Sequence, residues 1–188
     1  FVGLTLVNFI NFMDGIDGLV GSCMFILIFS VFLYRSNFEI GVWILGSLLG
    51  FILWNWSPAK IFMGDIGSTF LGAYYSLLVF QSQNFEEAVS LLLIGTPLLG
   101  DALTCVLRRF FAKQNPFKAH KVHLYQRLVS GGLSHRKVSL IYIICTFLTS
   151  LVFLLFGIKY LIIFVINLIF IGFYLDQKIA KPFYKSIC

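Results

Sequence analysis

The chain has 188 residues, of which 59% are hydrophobic and only 12% are charged. A soluble domain carries about 25% charged residues, so the composition excludes the soluble globular class and predicts a membrane protein. The net charge of +6 would indicate nucleic-acid binding in a soluble protein. In a membrane protein it indicates orientation instead, because Lys and Arg concentrate on the cytoplasmic side.

In chain order, the apolar runs predict an all-α, polytopic bundle of transmembrane helices, with about six full spans and a partial N-terminal helix. Backbone polar groups in lipid must be satisfied within the segment, which favours helices of about 20 residues. The chain starts inside an apolar run without an initiator Met, which predicts a C-terminal fragment of a longer enzyme. One membrane domain covers residues 1–188. The predicted helices are a partial one at 1–13 and spans at 19–34, 40–56, 67–81, 88–107, 138–157 and 159–176.

The segment 108–137 indicates the orientation of these helices. It holds eight of the 14 basic residues and none of the acidic ones. The positive-inside rule therefore predicts a basic loop in the cytoplasm. Counting helices outward places the turns at 8–18 and 57–66 on the same side and the loops at 35–39 and 82–87 outside.

The first polar turn combines amides, carboxylates and glycines. Asn8, Asn11 and Asp14 are spaced by three, so a helix would place them on one face. Asp17 continues the spacing, and Gly18 allows the close backbone approach that phosphate-binding loops require. The alternative is a polar helix end with a tight turn. Carboxylate and amide oxygens suit magnesium, and ionisable groups at membrane depth are usually functional, so the run predicts a site for a metal-bound diphosphate.

A second turn, at residues 62–68, places Asp65 between two glycines at the start of a predicted helix. An exposed carboxylate there can coordinate a metal, and the free N–H groups of the first helical turn can meet a phosphate oxygen. The alternative is a helix cap by Asp65 or Ser68. Because both turns are expected on one membrane face, we interpret them as parts of one site.

Two further features lie nearer the C-terminus. Asp101 is an acid inside a predicted apolar helix, which indicates either a functional group or a structural partner for an arginine or for backbone groups. The basic loop contains His120, His123 and Arg127, which can bind phosphate through charge-assisted hydrogen bonds. The alternative for this loop is adsorption to anionic lipid headgroups.

Three segments in this order resemble the polyprenyl-phosphate N-acetylhexosamine-1-phosphate transferases of glycosyltransferase family 4. They are the run from Asn8 to Leu19, the turn at 62–68, and the loop with His120 and His123. The resemblance covers essentially the whole chain. It implies that a polyprenyl phosphate attacks the β-phosphorus of a UDP-N-acetylhexosamine, giving UMP and a polyprenyl-diphospho-sugar that initiates a cell-envelope polysaccharide.

The resemblance also implies the setting of the reaction. The protein is expected in the bacterial inner membrane with its active site toward the cytoplasm. Mg²⁺ is the expected cofactor, with Mn²⁺ as a substitute. The expected partners are the UDP-sugar, the polyprenyl phosphate and the lipid bilayer, with no nucleic acid, and a homodimer is left open.

Single residues take roles from the same resemblance. Asp65 is the main expected magnesium ligand, with Asn11 contributing to the metal and diphosphate region. Asp14 and Asp17 are expected to be catalytic, together with Asp65, and to hold the nucleotide and the diphosphate. Substrate contacts are expected from Asn8, Asn11, Gly18, His120, His123 and Arg127.

Two departures from the family pattern matter. The family carries an acidic pair in an earlier cytoplasmic loop that this chain does not contain, so the fragment alone is predicted to be inactive. The loop around His120 and His123 has fewer histidines than the branch that uses the pentapeptide-bearing muramic acid nucleotide. We therefore expect the O-antigen or surface-polysaccharide branch, with a simpler UDP-N-acetylhexosamine donor.

Two other classes of membrane protein share part of the pattern. CDP-alcohol phosphatidyltransferases place Ala-Arg shortly after Asp-Gly, whereas here Asp17-Gly is followed by Leu-Val-Gly-Ser. A transporter or flippase would use Asp14, Asp17 and Asp101 as an ion pathway near the bilayer midplane. The predicted topology instead clusters the acids toward one face, which favours the transferase.

Overall fold

The computed structural model describes residues 1–36, 41–113 and 122–183. Within these ranges the chain forms nine α-helices and no β-strand, which confirms the predicted all-α class. The helices are α1 (Val2–Met13), α2 (Leu19–Arg35), α3 (Gly41–Asn55), α4 (Gly64–Phe80), α5 (Phe85–Ile94), α6 (Thr96–Phe111), α7 (Leu124–Ser130), α8 (His135–Phe156) and α9 (Ile158–Lys178).

Two helices, α8 and α9, are each long and apolar enough to cross a bilayer, with 22 and 21 residues. A third crossing results if α5 and α6 are counted as one bent span. The helices α1, α2 and α3 are apolar but have 12, 17 and 15 residues, at or below the lower end of the usual range. By length, the described helices therefore provide fewer full spans than the six predicted. Large exposed hydrophobic side chains cover the outer faces of the bundle, as lipid contact requires.

The prediction of one continuous helix over 88–107 is wrong, because the chain bends by 79° between α5 and α6. Pro97 lies at the start of α6, and proline has no N–H to donate to the carbonyl four residues earlier. That carbonyl, of Leu93, instead accepts the hydroxyl of Thr96 at 2.6 Å. The break places Asp101 in the second turn of α6 and not in the middle of one continuous helix.

The close contact between the antiparallel helices α1 and α4 aligns the site. A Cβ at Gly72 of α4 would be 2.7 Å from the Cα of Val7, and the hydroxyl of Ser76 donates to the carbonyl of Gly3 at 3.2 Å. Small residues let helices approach this closely. The end of α1 therefore lies beside the start of α4.

Polar groups gather at both ends of the bundle. At one end, Arg35 pairs with the buried Glu87 at 2.7 Å and joins the ends of α2 and α5. At the other end lie the turns at 14–18 and 56–63, together with α7. The polar regions predicted to share one membrane face thus do share one end of the bundle. Which side of the membrane that end meets stays a prediction.

The segment 108–137 is not the single basic loop that was predicted. Helix α6 continues to Phe111, α7 lies in the middle of the segment, and α8 begins at His135. The basic side chains at its start extend α6 by another turn, since cations are favourable at a helix C-terminus. Residues 114–121 lie outside the described ranges.

Candidate active site

The turn at residues 14–18 is held in place by the end of α3. Gly18 has a φ of 72°, in the left-handed region that favours glycine. Its N–H donates to Oδ1 of the buried Asn55 at 3.0 Å. The Nδ2 of Asn55 donates to the carbonyl of Ile61 at 2.8 Å, so one buried amide joins this turn to the following polar connection. The ring of Trp56 covers Gly18 and would lie 2.8 Å from a Cβ there.

The start of α4 meets the end of α1 through a short hydrogen bond. Gly64, with a φ of 64°, starts α4 and places Asp65 in its exposed first turn. One turn later, the hydroxyl of the fully buried Ser68 donates to Oδ1 of Asn11 at 2.6 Å. This bond continues the α1–α4 contact to the end of both helices and brings the two acidic turns together.

The place where the turn at 14–18 meets the start of α4 is called the junction below. Asp14 and Asp65 interact electrostatically across it. Burial, together with the negative charge of Asp65, raises the pKa of Asp14 to about 6. Asp14 follows the last residue of α1, and Asp65 lies in the first turn of α4. Both acids therefore lie at helix ends, where a transporter pathway through the middle of the bundle would not place them.

Asp17 belongs to the same turn but contacts other elements. Its Oδ2 accepts the N–H of Ala59 at 3.2 Å, and its Oδ1 lies 3.5 Å from Nδ1 of His135. Its backbone carbonyl accepts the hydroxyl of Ser139 at 2.7 Å. The start of α8 and the connection after α3 thus hold Asp17 from two sides.

His123, predicted to contact substrate, lies deeper in the structure. It precedes α7 and is 2% exposed. Burial, with the charges of Arg109 and Arg127, lowers the pKa of His123 to about 4, so the imidazole is neutral at pH 7. Its ring centroid lies 6.1 Å from that of Phe12, near the end of α1. Its predicted substrate contact stays a prediction.

Arg127 is also buried, at 3% exposure. Its guanidinium pairs with Asp176 of α9 and donates to the carbonyls of Val122 and Lys181. Asp176 also accepts from Arg108 at 2.6 Å. These partners join α6, α7 and the end of α9, and none of them belongs to the two acidic turns. A phosphate contact by Arg127 stays a prediction.

Two other predicted substrate residues stand apart from the junction. Asn8 is exposed, and its Nδ2 donates to the carbonyl of Leu4 in its own helix at 2.8 Å. His120 lies outside the described residues. The structure therefore brings together Asn11, Asp14, Asp17, Gly18 and Asp65, and leaves the contribution of the other predicted residues as predictions.

Comparison with known proteins decides the family. The model of the family described as "Glycosyl transferase family 4" matches residues 1–83, which contain both acidic turns. The "Probable undecaprenyl-phosphate N-acetylglucosaminyl 1-phosphate transferase" of Bacillus subtilis is 33% identical over 161 residues, covering 80% of this chain and 44% of the relative. The chain belongs to glycosyl transferase family 4. The predicted resemblance is thereby confirmed.

Other relatives come from two kinds of family 4 protein. A decaprenyl-phosphate N-acetylglucosaminephosphotransferase of Mycobacterium leprae is 36% identical over 73% of this chain and 42% of the relative. A phospho-N-acetylmuramoyl-pentapeptide-transferase of Listeria monocytogenes is 36% identical over 71% of this chain and 43% of the relative. The chain spans less than half the length of the curated relatives it matches. Because both kinds reach equal identity, the predicted branch stays a prediction.

The donor atoms at the junction of this family 4 chain fit a magnesium ion. Asp14 and Asp65 repel each other, and a cation between two carboxylates relieves that repulsion. In the parts of the chain that the structure describes, no three His, Cys, Asp or Glu side chains form a cluster. Magnesium does not require one, because it usually keeps several waters and binds one or two carboxylates plus substrate phosphates.

Several residues of the site were missed by the sequence reasoning. Asn55 carries a detectable signal, since it is an amide at the end of a mainly apolar helix. Ser68 was considered only as a helix cap, and its bond to Asn11 joins elements 57 residues apart. His135 begins α8 and Asp176 lies in the last turn of α9, and only the tertiary structure gives them partners.

Replacing Asp14 by Asn is expected to stabilise the protein at neutral pH while it impairs the site. The raised pKa means that folding disfavours the charged carboxylate, by on the order of 1 kcal/mol after screening by solvent. An amide, like the protonated acid, avoids this cost. The gain in folding stability should be complete above about pH 6. It should vanish below about pH 4, where Asp14 is protonated in both the folded and the unfolded wild-type chain. Thermal unfolding in detergent across this pH range measures it; an equal gain at every pH would contradict the cause given.

Proposed function

We propose that this chain is part of a membrane enzyme that transfers N-acetylhexosamine-1-phosphate from a UDP-sugar to a polyprenyl phosphate. An oxygen of the lipid phosphate attacks the β-phosphorus of the donor. The bond from that phosphorus to the bridging oxygen breaks, and UMP leaves. The observation that carries the proposal is the junction of the two acidic turns, joined by the bond between Ser68 and Asn11 at one end of an apolar bundle.

The acidic residues are proposed to act on the diphosphate of the donor. Asp65 and Asn11 would hold Mg²⁺. The bound cation would neutralise the negative charge of the donor diphosphate during the reaction at the β-phosphorus. Asp14 and Asp17 would orient the nucleotide and diphosphate, since they lie in one turn that Asn55 and α8 hold in place. The exposed position of Asp65 leaves room for a donor above the turn.

A lipid acceptor is supported by an apolar cavity next to this end of the bundle. The cavity has a volume of about 670 Å³ and lies between α1, α6 and α9, lined by residues such as Phe9 and Ile169. Arg108 and Asp176 lie on its wall. An apolar cavity with an arginine on its wall suits part of a prenyl chain and its phosphate.

The identity of the donor sugar and the membrane side of the active site are supported by separate observations. The names of the relatives from Bacillus subtilis and Mycobacterium leprae both contain N-acetylglucosamine as the transferred sugar. The sparse histidines of the 108–137 segment favour the same simple donor over a peptide-bearing one. The eight basic residues of that segment favour a cytoplasmic active site in a bacterial inner membrane. The product would initiate a cell-envelope polysaccharide.

The test uses membranes from cells that express the complete natural gene for this chain. Membranes would be incubated with polyprenyl phosphate, Mg²⁺ and one radiolabelled donor at a time: UDP-GlcNAc, UDP-GalNAc, or UDP-MurNAc-pentapeptide. We expect label in the organic phase with UDP-GlcNAc and its loss with EDTA. Labelling only with the pentapeptide donor would overturn the branch, and no lipid-linked product with any donor would overturn the enzyme.

A further inference from the structure

Among the carboxylates that the structure describes outside the acidic turns, Asp101 accepts the most hydrogen bonds. It is 9% exposed. Its Oδ1 accepts the N–H of Leu124 at 2.7 Å, and its Oδ2 accepts the N–H of Tyr125 at 3.0 Å. Oδ2 also accepts the hydroxyl of Tyr142, on α8, at 2.7 Å. One side chain of α6 therefore holds the first turn of α7 and a neighbouring helix through three hydrogen bonds.

Tyr125 carries this anchoring to the first acidic turn. Its ring is completely buried, and its hydroxyl donates to the carbonyl of Phe12 at 3.1 Å. Phe12 lies in the last turn of α1, two residues before Asp14. The same hydroxyl occupies the space next to Gly15, where a Cβ would overlap it. The side chain of Gln126 donates to the hydroxyl at 3.0 Å and fixes its position.

The carboxylate of Asp101 and the hydroxyl of Tyr125 are thus two ends of one rigid connection. Asp101 binds the backbone N–H of Tyr125, and the buried ring spans from there to the end of α1. Because Asp101 holds α7 in place, the hydroxyl of Tyr125 is held against the end of α1, just before the Asp14–Gly18 turn. A shift of α7 would therefore displace this support.

We infer that Asp101 is a positioning residue: through the N-terminus of α7 and the hydroxyl of Tyr125, it sets the geometry of the Asp14–Gly18 turn. Its kinetic consequence rests on the proposed function. Its structural consequence does not, because the turn carries its own reporter. Trp56 lies against Gly18, at the end of the turn, whereas Tyr125 lies next to Gly15, so Trp56 should sense a movement of the turn.

Two substitutions separate the steps of this connection. Asp101→Asn keeps the shape but turns an N–H of its amide toward an N–H of α7, because every backbone partner is a donor. Tyr125→Phe keeps all three bonds of Asp101 and removes only the hydroxyl that meets Phe12. The matched control is Tyr142→Phe, which also removes one bond to Asp101 but belongs to α8; the side-chain hydrogen bonds of Tyr142 in the described residues join it to Asp101 and Thr146.

The readout that needs no substrate is the fluorescence of Trp56. In the complete gene product, with Trp56 as the only tryptophan retained, acrylamide quenching is measured for each variant. We expect Asp101→Asn and Tyr125→Phe to increase quenching, and Tyr142→Phe to leave it at the parent value. Unchanged quenching in Tyr125→Phe, or an equal change in all three variants, would overturn the inference.

Kinetics supply the second readout. A displaced turn misaligns the diphosphate, so Asp101→Asn and Tyr125→Phe should each lower kcat by about tenfold, with a smaller change in KM for the UDP-sugar. The double variant should lose no more than the worse single variant, because both act through one connection. Additive losses would overturn the inference. A change in Trp56 quenching with no transferase activity in the parent protein would uphold it and reject the proposed function.

Discussion

Asp65→Asn is expected to lower the transfer of sugar phosphate by about 100-fold or more, the cost of losing one charge-stabilising group at a phosphoryl centre. The amide keeps the size of the side chain but loses the negative charge that a divalent cation requires. Asp65 is exposed in the first turn of α4, so its replacement should change thermal stability by less than about 0.5 kcal/mol. The measurement is the initial rate of lipid-linked product at several Mg²⁺ concentrations.

Glu86→Gln is the matched control for this substitution. Glu86 is likewise an exposed acid in the first turn of a helix, α5, but it lies at the opposite end of the bundle. We expect its rate to remain within about twofold of the parent, as for surface changes away from a site. A full rate in Asp65→Asn, or equal losses in both variants, would contradict the role assigned to Asp65.

Gly72→Ala is expected to destabilise the protein by about 1–3 kcal/mol, the usual cost of overpacking. The added Cβ would lie 2.7 Å from the Cα of Val7, and backbone atoms cannot rotate away as a side chain can. Helices α1 and α4 must separate, which lengthens the bond between Ser68 and Asn11 at their ends. Activity should therefore fall along with the melting temperature in detergent.

Gly46→Ala provides the control for this second prediction. Gly46 lies in α3, and a Cβ there would meet nothing within 4 Å. Alanine should stabilise that helix by up to about 1 kcal/mol relative to glycine. If Gly72→Ala were as stable as Gly46→Ala, the close approach of α1 and α4 would not be what aligns the two turns.

The parts of the site that the sequence predicts are those with local patterns. Polar turns are predicted by the three-residue spacing from Asn8 to Asp17 and by the two glycines around Asp65. The structure has a turn after α1 and another before α4, within the predicted segments. Pro97 also marks the break in the 88–107 segment, although the hydropathy of that segment favoured one helix. Local chemistry therefore accounts for the turns and for most helix limits.

The parts that could not be predicted depend on long-range contacts. Ser68 with Asn11 and Tyr125 with Phe12 join residues 57 and 113 positions apart, and no spacing rule connects them. Arg127 looked like a phosphate ligand because it is basic. The structure pairs the buried Arg127 with Asp176, which is distant in sequence, and no local pattern predicts that ion pair. Charge alone cannot distinguish an exposed ligand from a structural cation.

Transfer of a sugar phosphate, and not of a sugar alone, defines the proposed reaction. The most direct measurement uses UDP-GlcNAc labelled with ³²P at the β-phosphorus, incubated with polyprenyl phosphate, Mg²⁺ and membranes containing the complete gene product. We predict that the label enters the lipid fraction while unlabelled UMP appears in equal amount. Label retained in UDP while the sugar enters the lipid would contradict the claim, and so would unlabelled lipid under conditions where donor is consumed.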